Sequence, residues 1–146
     1  MPKQLISSIL IGMVCGVYLS IPWSAHADIA VIVHRDNPVQ SMTARQVSDI
    51  YLGRTRAFES GVLMNIYELP VDSPLREKFF HGLNGMNLKQ LNAYWARLRF
   101  SGEVLPPVSL QDSRALINAV RRDQNAIAYI DTAVLDDSVR VLFLVK

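Results

Sequence analysis

Residues 28–146 predict a single α/β domain, a small mixed sheet flanked by helices. Apolar runs of strand length alternate along the chain with segments whose apolar residues repeat at helical spacing. Half of the 146 residues are hydrophobic, enough for a packed core, and no repeat, low-complexity tract or charge block divides the chain.

The elements follow in order. Ile29-Ala-Val-Ile-Val33 is a continuous apolar run, expected of a strand covered on both faces. A polar loop, His34 to Ser41, carries Pro38 as a breaker. Thr43-Ala-Arg-Gln46 fits a capping box, Val47, Ile50 and Tyr51 keep helical spacing, and Gly53 suits the left-handed residue that closes such a helix. Met64 to Leu69 is a second strand, stopped by Pro70. Ser73 is placed to cap a helix whose first position is Pro74, where a missing N–H costs nothing. Leu75, Phe79 and Leu83 form its apolar stripe, with Gly82 and Gly85 as interruptions. Asn87 with Gln90 opens another helix, buried through Leu88, Leu91, Tyr94, Trp95 and Leu98. Ser101-Gly102 and Pro106-Pro107 mark a loop. Asp112 or Ser113 caps a short helix through Leu116, Ile117 and Val120. Ala126 to Ile130 and Val139 to Val145 are the last two strands.

The first 27 residues have a different character. Lys3 is followed by an apolar stretch from Leu5 to Leu19, then by Pro22-Trp23-Ser24 and the Ala25-His26-Ala27 triplet. This is the order of a secretory signal, with cleavage expected after Ala27. Extended to Trp23, the stretch would also reach the ~20 residues of an uncleaved anchor, and the A-x-A triplet decides for cleavage. Cys15 follows Val14 inside the apolar run, which argues against lipidation. Removal leaves 119 of the 146 residues, without cysteine, so no disulfide, thiol nucleophile or Cys-based metal site is expected.

Charge is nearly balanced, 15 Lys+Arg against 13 Asp+Glu for a formal +2, which excludes the basic excess of a dedicated nucleic-acid binder. Loss of Lys3 lowers the formal charge by one.

Four stretches, in order, resemble the phosphate-type periplasmic solute-binding proteins of ABC transporters. Val47-Ser-Asp-Ile-Tyr-Leu-Gly53, followed by Arg54, is similar to the family's L-x-x-I-F/Y-x-G-K. Ser73-Pro-Leu-Arg-Glu-Lys-Phe79 is similar to S-G-T-R-x-x-F, and Ala126-Ile-Ala-Tyr-Ile130 to A-I-G-Y-V. Phe100-Ser-Gly102 with Pro106-Pro107 resembles the F-x-G…P loop. The resemblance reaches only the second lobe of such proteins, so it implies one type II binding-protein lobe, a periplasmic location and a small oxyanion such as phosphate as ligand.

The family's Ser-Gly-Thr turn binds its anion where helix-starting N–H groups and hydroxyls converge, with about half a positive charge from the helix dipole. In this sequence Ser73 and Arg76 are the corresponding candidates. Pro74 removes one N–H donor and Leu75 one hydroxyl, and the family's Arg and Asp positions fall on Leu69 and Val71. The same residues also fit an ordinary N-cap, with Arg76 paired at the surface to Asp72 or Glu77.

Other groups point to less. His34 and His81 lack metal-ligand spacing. Asp136-Asp137 sits in an expected turn, and no serine stands in a nucleophile elbow. Arg54, Arg56, Arg97 and Arg99 read as a solvated surface, and Tyr94 with Trp95 as core. No catalysis and no cofactor are expected. The alternative function is a ligand-free interaction module, contacting a sensor, an envelope protein or a second copy through the face that a missing lobe would cover.

Overall fold

The computed structural model describes residues 28–102 and 104–146, so the expected signal segment lies outside the described residues. Five strands, β1 (Ile29–His34), β2 (Asn65–Glu68), β3 (Val108–Ser109), β4 (Ala126–Asp131) and β5 (Val139–Val145), form one sheet in the order β3-β2-β4-β1-β5. The helices are α1 (Ala44–Tyr51), α2 (Pro74–Asn84), α3 (Leu88–Ser101) and α4 (Ser113–Arg122), with a single 3-10 turn at Thr132–Val134.

β2 is parallel to both β3 and β4, whereas β1 is antiparallel to β4 and to β5. The sheet is therefore mixed, with one strand running against the rest. β1 and β4 are buried at every position except their last, which requires cover on both faces and explains their unbroken apolar runs. Because Ile29 pairs with Asp131 and Val145, the start of β1 and the ends of β4 and β5 lie side by side at one end of the strands.

The expected caps form. Thr43–Gln46 and Asn87–Gln90 are reciprocal capping boxes, Ser73 caps α2, and Asp112 rather than Ser113 caps α4. Gly53 and Gly85 adopt the left-handed conformation, at φ 72° and 74°. The core holds an aromatic cluster: Phe79 stacks on Tyr129 with centroids 3.8 Å apart, and Tyr51 meets both rings edge-on. Gly82 is a packing glycine, since a Cβ there would stand 2.5 Å from Val145 Cγ1. α2 and β5 thus approach closely because the helix has no side chain at that point.

Two features differ from expectation. β3 pairs with β2 through only two residues, too few to separate from the Ser101–Pro107 loop by pattern. The expected stripe of α2 is also rotated: Phe79 and Phe80 are fully buried with Arg76, while Leu75 and Leu83 are only half-buried.

Candidate functional site

α2 begins directly beyond the end of β2, so its first turn packs against the last residue of that strand. Ser73 has extended backbone, φ −64° and ψ 126°, and its Oγ accepts the Arg76 backbone N–H at 3.5 Å. Pro74 occupies the first helical position.

The Arg76 side chain runs inward. Its Nε donates to Glu68 Oε2 at 2.9 Å, and its Nη1 donates to Asn92 Oδ1 at 3.1 Å and to the Val71 carbonyl at 3.4 Å. The guanidinium also lies 5.5 Å from the Phe80 ring centre. The side chains of Arg76 and Glu68 are only 2% and 5% exposed. The surface pairing expected with Asp72 or Glu77 is replaced by this buried pair. Helical side chains tilt toward the helix N-terminus, and here that direction leads back to the end of β2.

Burial raises the Glu68 carboxyl above its ordinary value, while the hydrogen bond and charge of Arg76, and then the charge of Arg99, pull it back down. The pair lines an open cavity of about 160 Å³ together with Val71, Asn92, Trp95, Arg99 and Pro106. Trp95 is itself buried, and its indole N–H has no hydrogen-bond partner among the described residues. The cavity thus joins a neutralised ion pair, an amide side chain, an exposed arginine and a buried tryptophan.

The two residues expected to hold an anion have partners within the protein. Ser73 acts locally as a cap, and the Arg76 charge is already answered by Glu68. Glu68 and Asn92 complete the cluster and were not anticipated from sequence, and Trp95, read there as core, is buried beside them. Their signals were present: an acid at the end of a largely apolar strand, and Asn92, Trp95 and Arg99 at three- and four-residue spacing on α3.

The remaining candidates are dispersed. His34 Nδ1 accepts the Asp36 backbone N–H at 3.1 Å, and His81 is exposed near the end of α2. Arg54 pairs with Asp49 at 3.2 Å, and Arg97 lies 5.8 Å from the Tyr94 ring centre. Asp136 is exposed and held below its ordinary value by hydrogen bonds from Ser138. Among the described residues, no three His, Cys, Asp or Glu side chains are grouped to hold a metal. No helix among them is long and apolar enough to cross a membrane.

This fold is similar to part of several solved phosphate ABC transporter substrate-binding proteins. A Clostridium perfringens substrate-binding protein of that class, with bound phosphate, matches at a TM-score of 0.60 and 24% identity, over 80% of this chain and 45% of its own. An ABC-type phosphate transport receptor from Vibrio cholerae matches at 0.63 and 17% identity, over 80% and 47%. PstS from Borrelia burgdorferi gives 0.57 and 12%, again over 80% and 47%. The matched region is less than half of each of these structures. No family model matches the chain, and comparison with curated proteins finds no match.

Proposed function

We propose that residues 28–146 form an exported, non-enzymatic solute-binding lobe that engages a small oxyanion such as phosphate weakly, at the β2–α2 junction near Ser73 and Arg76. The observation that carries this reading is the fold match to a protein with bound phosphate. Ser73 at the start of α2 supports it, because a helix start presents backbone N–H groups to an anion. Weak affinity follows from the chemistry present: Pro74 has no N–H, the Arg76 backbone N–H is taken up by Ser73 Oγ, and Glu68 offsets the guanidinium. Arg99, on the cavity rim, is the remaining charge for an approaching anion. Export, with cleavage after Ala27 and a periplasmic location, rests on the signal pattern of residues 1–27.

Calorimetric titration of purified residues 28–146 with phosphate, then sulfate, tests this reading. Saturable heat that weakens in Ser73→Ala and Arg99→Ala, with Arg76→Lys measured for the paired charge, supports it. Absence of heat up to millimolar anion overturns it.

A second reading, a ligand-free interaction module, is favoured by Phe100 and Leu105, apolar residues that are 95% and 74% exposed. Its partner would be another protein or a second copy rather than nucleic acid. Sedimentation at increasing concentration separates those two partners.

A further inference from the structure

A second cavity lies away from the Glu68–Arg76 pair and shares no lining residue with the cavity there. It measures about 460 Å³ and is bounded by α1, the 38–42 loop and the turn closed by the Ala57–Leu63 bridge. That volume falls within the ~300–1,000 Å³ typical of ligand pockets. Val39, Met42, Ile50, Phe58 and Met64 supply its apolar lining, and two methionines let such a lining adapt to different side chains.

The charge of this pocket has one sign. Asp49 and Glu59 line it, and no Lys, Arg or His does. Gln46 Nε2 donates to Glu59 Oε1 at 3.3 Å, which holds that carboxylate beside α1. Arg54 reaches Asp49 from outside the pocket at 3.2 Å, but its side chain is 60% exposed. An exposed pair of this kind contributes little, so an incoming cation can compete with it.

We propose that this pocket is a second binding site, for a short peptide segment that seats an apolar side chain on the Met42–Phe58–Met64 lining and sets a Lys or Arg against Asp49 and Glu59. Charge complementarity selects this occupant, because an acidic or phosphorylated ligand would meet two carboxylates of its own sign.

The probe is acetyl-Leu-Lys-Leu-amide, titrated into the purified protein and followed by calorimetry, with acetyl-Leu-Glu-Leu-amide as its counterpart. Saturable binding of the lysine peptide alone is expected. Glu59→Gln should weaken it about threefold, the size of a partly exposed charge pair, and Asp49→Asn by a similar factor. Arg54→Ala should strengthen it by freeing Asp49, an effect that loss of folding could not produce. Equal binding of the two peptides, indifference to both carboxylate variants, or no saturation at millimolar peptide overturns the proposal. Phosphate binding is measured at different residues, so failure at one site leaves the other result intact.

Discussion

Arg76 and Glu68 are eight residues apart in sequence and 2.9 Å apart in space, joined in a buried ion pair across the junction of β2 and α2. The pair links the end of β2 to the first turn of the helix. Through Asn92 it also ties in α3. A charge pair taken out of water gains little net stability, yet loss of one partner strands the other.

Arg76→Ala should therefore destabilise the domain by about 3–5 kcal/mol, the usual cost of leaving one buried charge without its partner. Replacing both partners by similar-sized neutral residues, Arg76→Met with Glu68→Gln, should cost clearly less. Chemical denaturation of the single and double variants measures the difference.

The raised pKa of Glu68 has a definite sign in the pH dependence of stability. A carboxyl that binds its proton more tightly when folded contributes less stability as pH rises from the ordinary value of 4.5 through its raised value. Above that window the contribution is constant. Glu68→Gln removes this term, so the unfolding free energy of wild type minus that of the variant should fall across the window. Denaturant unfolding at stepped pH values measures it, and a difference that rises with pH would contradict the burial-dominated shift.

Ser73→Ala should lower stability by about 0.5–1 kcal/mol, toward the low end for a helix cap because the hydrogen bond is 3.5 Å long. The same variant tests oxyanion binding, so thermal unfolding belongs beside its titration. A cap alone changes the midpoint; a ligand contact also changes the affinity.

Gly82→Ala should be destabilising even though alanine is the better helix former. The new methyl would stand 2.5 Å from Val145 Cγ1 and force α2 away from β5. Adding Val145→Ala should recover part of the loss, which a double-mutant cycle by denaturation measures.

Tyr51 and Tyr129 should keep their protons until the domain opens. Burial is the largest cause raising both phenols above 10, with the Glu68 charge adding to it. Their contribution to stability is lost as pH rises above the ordinary phenol value, because the unfolded chain releases those protons first. Tyrosinate absorbance from these two residues should appear together with loss of circular dichroism in an alkaline titration. Tyr129→Phe should reduce that coupled signal.

Much of the fold was legible in local chemistry. β1 and β4 are continuous apolar runs because both faces of those strands are covered, and a run of that kind is visible in one dimension. The caps at Thr43, Ser73 and Asn87 were equally visible, since each joins residues no more than three positions apart. β3 was not, because two residues carry no period.

The candidate site was legible only in part. Ser73 and Arg76 were picked out by position, but the partners of Arg76 come from β2 and α3. Sequence by itself determined the alternation of strands and helices, their caps and an α/β domain of nearly balanced charge. Only the tertiary structure decided that β1 runs against its neighbours, that Arg76 answers Glu68 rather than Asp72 or Glu77, and that Asp49 and Glu59 border one apolar pocket. Hydrogen bonds within a helical turn are written into neighbouring residues, whereas the partner of a buried charge depends on which elements pack together.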